Sequence, residues 1–199
     1  MDPLLILVKN MGSTKSELRR HALASRNALS AAYREACSQK ITRLLCQLPE
    51  YTAASNLLLY ASFGSEVDTC FIARQALTDQ KKLFFPKVCE NQMSFIQVTE
   101  LASLEKGYRG IPEPNGSTVW DDTLYASSVL VLPGVAFDRS HHRIGYGKGF
   151  YDRFLAVCRN HNRLPHSIAL SFQSQIIPHI PVESHDYLPD QILTENGAF

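Results

Sequence analysis

Between Arg143 and Asp152 the chain reads RIGYGKGFYD, with glycine at positions 145, 147 and 149, a lysine between the last two, and an aromatic pair before the aspartate. Glycine leaves the backbone free to take positive φ and to approach a ligand closely, so successive N–H groups can face one concavity. A helix expected from about Phe150 to Asn160 adds the positive end of its dipole there, and Lys148 and Arg143 add two cations. The chemistry this suits is the binding of nucleotide phosphate; the competing reading of Gly145, Gly147 and Gly149 is a tight turn and nothing more. Two standard phosphate motifs do not fit. A Walker A loop would need glycine where His142 stands and Ser or Thr where Gly149 stands, and a dinucleotide G-x-G-x-x-G would need glycine at Phe150.

Other charged residues have the right types to serve such a site. Lys15, Arg19 and Arg26 are offset by four and seven, so they share one helical face and could clamp a polyphosphate from the opposite side; a solvated basic face is the plain alternative. Glu66 and Asp68 follow an apolar run. Asp68 reads as a helix cap, whereas Glu66 has no such duty and is a candidate for binding a substrate's N–H groups. Asp152, in the first turn of its helix, can hold Mg²⁺, which takes carboxylate together with phosphate oxygens. Asp186 is a second candidate, with an ordinary turn aspartate as the alternative. Tyr108, Phe137, Phe150 and Tyr151 offer flat surfaces, though each also fits a core position. The seven histidines show no ligand spacing, and no Ser-His-Asp or Cys-His order suggests a covalent nucleophile.

These residues must be carried by an alternation of helical and extended segments. Thr14 and Glu17 form a capping box that opens a helix through about Ala28, and Ser30 caps a second one. Cys37, Ile41, Leu44, Leu45 and Leu48 give the second helix one apolar stripe, which Pro49 ends. NLLLYASF (56–63) reads as a strand buried on both faces, followed by a helix capped by Asp68 and a strand at KLFFPKV. MSFIQV alternates like an edge strand, and EKGYRGIPEPNGST is expected as loop. SSVLVLPGVAFD (127–138) reads as a second buried strand and HSIALSF (166–172) as another. The sum is a three-layer α/β/α domain of Rossmann type with a mostly parallel sheet, whose informative loops share the carboxyl edge of the strands.

A chain of 199 residues with 45% apolar and 20% charged residues is expected to form one soluble domain over residues 14–199, after an extension over 1–13. A net charge of +1 supplies no field for a polyanion such as nucleic acid. The opening apolar run is too short to span a bilayer and has no basic residues before it, so neither a membrane span nor a secretion signal is expected. Five scattered cysteines without a C-x-x-C pair suggest reduced thiols in a cytoplasmic protein rather than a disulfide framework or a zinc site.

K-x-x-x-R at Lys15 to Arg19, SFGSEVDT at Ser62 to Thr69, FPKV at Phe85 to Val88, GIPEP at Gly110 to Pro114, PGVAFDR at Pro133 to Arg139, RIGYGKGFYDR at Arg143 to Arg153 and HD at His185 and Asp186 appear in one order. Together they resemble the 5-formyltetrahydrofolate cyclo-ligase family, also called 5,10-methenyltetrahydrofolate synthetases, from about Lys15 to Glu195. The resemblance implies an enzyme that uses ATP and Mg²⁺ to turn 5-formyltetrahydrofolate into 5,10-methenyltetrahydrofolate, releasing ADP and phosphate. A monomer is the separate expectation for its assembly. It implies ATP binding by Lys15, Arg19 and the stretch Arg143 to Tyr151, with Lys148 and Arg143 as catalytic cations. Glu66 would contact the folate, Tyr146 to Phe150 would lie between the two ligands, and Asp152 and Asp186 would carry magnesium. This sequence departs from the family at His141, where glycine is common, at Arg109, where an aromatic is common, and in the order of proline and leucine before Asp190. Two rivals remain at this point: a sugar-phosphate or CoA-handling enzyme of similar fold, and a nucleotide-binding module without chemistry.

Overall fold

The structure, a computed structural model, describes residues 14–183 and 186–199. The expected extension over 1–13, and His185, lie outside the described residues.

The Thr14 side chain accepts a hydrogen bond from the Glu17 backbone, and the Glu17 side chain accepts one from Thr14 in return, opening α1 (Lys15–Ala28). Ser30 caps α2 (Ala31–Gln47) by one bond alone, its side chain accepting from the Tyr33 amide. Pro49 does more than end that helix, because it occupies the first turn of a short α3 (Pro49–Ala53), where its missing N–H is harmless. β1 (Asn56–Leu58), α4 (Cys70–Thr78) and β2 (Lys82–Cys89) make a parallel β-α-β unit. β3 (Gln92–Val98) returns antiparallel at the sheet edge, as its alternation suggested.

Three stretches differ from expectation. The strand expected over 56–63 ends at Leu58. The turn-rich segment is not all loop: β4 (Leu104–Lys106) and β5 (Pro112–Pro114) form a small antiparallel ribbon, closed by Arg109 at φ 56° and Gly110 at φ 79°. The strand expected over 127–138 breaks in two. β6 (Ser128–Leu132) stops at Pro133, which has no N–H to give a neighbour, and a Cβ added at Gly134 would overlap the Phe137 ring. The chain then folds β7 (Ala136–Phe137) against β8 (Arg143–Ile144) as a separate hairpin, with His141 at φ 66° in its turn. Histidine accepts that conformation better than most residues. α5 (Phe150–Asn160), β9 (His166–Leu170), β10 (Gln191–Thr194) and β11 (Gly197–Ala198) complete the described elements.

The described residues build a seven-stranded sheet in the order β11-β10-β9-β6-β1-β2-β3, parallel from β10 through β2 and antiparallel only at its two edges. Side chains alternate between its faces. Leu57 and Leu59 pack with Ile41, Leu45, Tyr51 and Ile72 of α2, α3 and α4, while Leu58, Leu130 and Leu132 pack with Leu155 and Cys158 of α5. Each fully buried leucine or isoleucine contributes about 1.5–3 kcal/mol, so a sheet apolar on both faces requires helices on both. A third cluster matters most for function. Leu18 and Ala22, one turn apart on α1, pack against Val135, Ala136, Ile144, Ile177 and Ile180, docking α1 onto the β7–β8 hairpin. The same docking brings the basic start of α1 to the glycine loop that follows β8. Among the described residues no helix is long and apolar enough to cross a membrane.

Candidate functional site

From β1 at the sheet centre the chain goes to one side for β2 and later comes back on the other side for β6. Loops leaving such a switch point separate and leave a crevice at the carboxyl edge. A cleft of about 990 Å³ lies there, lined by Tyr60 and Glu66 after β1, Pro86 and Val88 of β2, Pro133 after β6, and the run Arg143 to Arg153. Lys15 and Arg19 of α1 and Asp186 close another side. Every residue singled out above for ATP, substrate or metal except Arg26 therefore lines one cleft.

The glycine loop is shaped by Gly147 at φ 84° and Gly149 at φ 65°; Gly145 needs no positive φ. Gly149 sits at the N-cap of α5 in a left-handed conformation and supplies no side-chain cap. Among the described residues nothing accepts a hydrogen bond from the backbone N–H of Gly147, Lys148 or Gly149. Unpaired donors at a helix N-terminus form an anion site. Lys148 is exposed beside them, and Arg19 braces the loop, its Nε donating to the Gly145 carbonyl at 2.7 Å with its guanidinium packed over Gly147.

Both candidate metal carboxylates are held by cations. Asp152 accepts from Arg143 Nη2 at 2.7 Å, and Asp186 takes Lys15 Nζ at 2.6 and 2.9 Å. Glu183, which the sequence did not single out, lies 3.4 Å from the same ammonium. Arg143 is largely buried; its Nη1 donates to the Pro133 carbonyl, and its Nε has no partner among the described residues.

On the far side of the loop Glu66 accepts from the Phe63 amide at 2.9 Å and from the Tyr146 hydroxyl at 2.7 Å. Burial pushes the Glu66 carboxyl above its ordinary range, opposed by the hydrogen bonds from Tyr146 and Phe63 and by the Arg26 charge. Arg26 itself departs from the expected clamp. Seven residues beyond Arg19 on a helix rising about 1.5 Å per residue, it lies past the cleft and is buried, donating to Ser65 Oγ, the Gly134 carbonyl and the Tyr146 hydroxyl. Asp68 stands one residue before Thr69, the N-cap of α4, and still serves the helix start, its Oδ1 accepting from the Cys70 amide at 2.9 Å. Phe150 meets Tyr108 edge-to-face at 5.9 Å, and Arg153 lies over Phe150 at 5.1 Å while donating to the Lys148 carbonyl. Tyr151 is wedged between both core clusters, so one edge lines the cleft while its body packs inward. Pro86, Val88, Met93 and Ile111 give the cleft an apolar wall that the sequence signalled only through FPKV.

A sequence profile of the 5-formyltetrahydrofolate cyclo-ligase family matches residues 11–195. The chain belongs to that family. Among relatives of this 5-formyltetrahydrofolate cyclo-ligase family member, the Mus musculus 5-formyltetrahydrofolate cyclo-ligase is 31% identical over 94% of this chain and 96% of its own. The Escherichia coli K12 5-formyltetrahydrofolate cyclo-ligase is 26% identical over 87% of this chain and 96% of its own. The NMR structure of Aquifex aeolicus 5,10-methenyltetrahydrofolate synthetase, 32% identical, superposes with a TM-score of 0.81 over 92% of this chain and 91% of that one. The Mycoplasma pneumoniae 5,10-methenyltetrahydrofolate synthetase, 22% identical, shares the fold with a TM-score of 0.73.

Proposed function

We propose that the protein cyclises 5-formyltetrahydrofolate to 5,10-methenyltetrahydrofolate at the expense of ATP, releasing ADP and phosphate, as a cytoplasmic monomer whose catalytic unit is residues 14–199. The observation that carries this reading is the opposition, across one cleft, of an amide cradle at Gly147 to Gly149, unpaired among the described residues, and a carboxylate at Glu66, bridged by Tyr146. A phosphate donor and a ligand rich in N–H groups would meet between them. Five free cysteines, two of them buried, fit a reducing compartment.

A formyl oxygen is a poor leaving group until phosphorylated; transfer of the γ-phosphoryl onto it gives an imidoyl phosphate, which N10 attacks to close the ring and expel phosphate. Such a transfer asks the protein chiefly for alignment and charge neutralisation. The loop amides and Lys148 hold the transferring phosphoryl, while Arg19 and Lys15 flank the polyphosphate. Arg143 acts from beneath the loop by fixing Asp152. Glu66 orients the pterin, and Pro86, Val88 and Phe150 exclude water from its faces. Asp152 and Asp186 are hard oxygen donors beside the cradle, the set that Mg²⁺ takes together with phosphate, so the residues fit that ion. Bound there, Mg²⁺ would neutralise phosphate charge. The test is incubation with 5-formyltetrahydrofolate, ATP and Mg²⁺ while following methenyl product and ADP. Methenyl product without ADP, or no product, refutes the reading.

A further inference from the structure

A three-member hydrogen-bonded chain runs beneath the cleft from α1 to the loop after β1. Arg26, 3% exposed, donates from Nη2 to the Tyr146 hydroxyl at 2.8 Å, and that hydroxyl donates to Glu66 Oε1 at 2.7 Å. The other Glu66 oxygen is fixed by the Phe63 amide. The remaining guanidinium contacts, to Ser65 Oγ and the Gly134 carbonyl, tie the same arginine to the Glu66 loop and to the turn after β6. Tyr146 stands between Gly145 and Gly147, so its ring belongs to the phosphate loop and its hydroxyl to the carboxylate.

We propose that Arg26 is a positioning residue for folate binding, acting through the Tyr146 hydroxyl to hold Glu66 in one orientation and to couple the phosphate loop to it. This rests on the assignment of Glu66 to the folate. A carboxylate drawn into a cleft tends to protonate or to swing toward solvent; a buried cation that reaches it through a phenol hydroxyl opposes both, because a donor to the charged form favours that form. Among the described residues the ionisable groups facing Glu66 are Arg26 of α1, Tyr60 after β1, Tyr146 of the loop and Tyr151 of α5. Only Arg26 is a cation among them.

Tyr146→Phe removes one hydroxyl and keeps the ring. Equilibrium binding of 5-formyltetrahydrofolate to the full chain should weaken about tenfold, the size of a lost hydrogen bond to a charged group, while ATP binding changes less than about twofold. The fall of folate affinity at low pH should move to higher pH, since Glu66 loses a donor to its charged form. In a Glu66→Gln background the same substitution should alter folate binding by less than about twofold, and Arg26→Lys should reproduce the Tyr146→Phe pattern. Equal weakening in both backgrounds, parallel loss of ATP and folate binding, or an unmoved pH profile each overturns the relay. Should Arg26→Lys fail to fold, the Tyr146 and Glu66 cycle decides alone. A wild type that binds folate but forms no methenyl product removes the proposed activity and leaves the relay to be judged by the same cycle; one that binds no folate removes both.

Discussion

Arg143 and Asp152 are joined by a 2.7 Å ion pair that closes the glycine loop at its base, tying the strand before it to the helix after it. The arginine side chain is 5% exposed and the aspartate 32%, so most of the desolvation falls on the cation. Asp152→Asn leaves that guanidinium facing a neutral amide. The buried limit for losing one partner is about 3–5 kcal/mol, and the partial exposure of Asp152 lowers the expected loss to about 1–3 kcal/mol. The melting temperature should fall by several degrees. Turnover should fall further than stability explains and recover in part with excess Mg²⁺; a loss that Mg²⁺ does not touch would assign Asp152 to scaffolding alone.

Lys148→Ala separates chemistry from folding most cleanly. The side chain is exposed and forms no ion pair among the described residues, so its removal should change stability by no more than about 0.5 kcal/mol. If its ammonium meets the transferring phosphoryl, turnover should drop by about 100-fold or more, the scale of deleting one donor to developing charge. Thermal melting beside steady-state assay gives both numbers, and intact turnover would remove Lys148 from the catalytic set.

How far the sequence could be read depended on whether a residue's partners were local. The Thr14–Glu17 box and the helix beginning at Phe150 were legible because caps and glycines act within a few positions. The parallel order of β1, β2 and β6 followed from apolar runs alternating with helices. The β7–β8 hairpin was not legible, since Val135, Ala136 and Phe137 look like more strand until Pro133 and the contact of Gly134 with the Phe137 ring are seen in space. Nor was the role of Arg26. Helical phase placed it with Lys15 and Arg19, but phase carries no information on height along the axis or on which carbonyl waits at the end of the side chain. Glu183 was missed for the same reason: its partner, Lys15, lies at the other end of the chain.

Gly147→Ala tests the backbone conformation rather than a side chain. At φ 84° an L-residue is strained by about 1–2 kcal/mol, while the nearest described atoms to an added Cβ are those of the Arg19 guanidinium at 3.6 Å, which can give way. The loop should relax toward negative φ and turn its amides, so KM for ATP should rise about tenfold while KM for the folate changes less. Gly197→Ala, strained at φ 123° in the terminal hairpin and away from the cleft, controls for stability loss alone. Equal effects of the two substitutions on KM for ATP would show that loop geometry is not what binds nucleotide.

Glu66→Gln should weaken folate binding yet raise the melting temperature at neutral pH. Burial holds the Glu66 carboxyl above its ordinary range in the folded protein, outweighing the hydrogen bonds from Tyr146 and Phe63 and the charge of Arg26. A carboxyl raised in this way binds its proton more tightly when folded. The stability it contributes is therefore fully present below its unfolded pKa and is lost as pH rises through the folded value. Glutamine never ionises and escapes that loss. The two proteins should accordingly converge as pH falls well below about 4.3, where the glutamate is neutral in the folded and unfolded chain alike, and diverge above it with the glutamine variant higher. Thermal melts taken in steps from acid to neutral pH check this; a variant that melts lower at neutral pH would mean that the three favourable contacts to the carboxylate exceed the burial that opposes them.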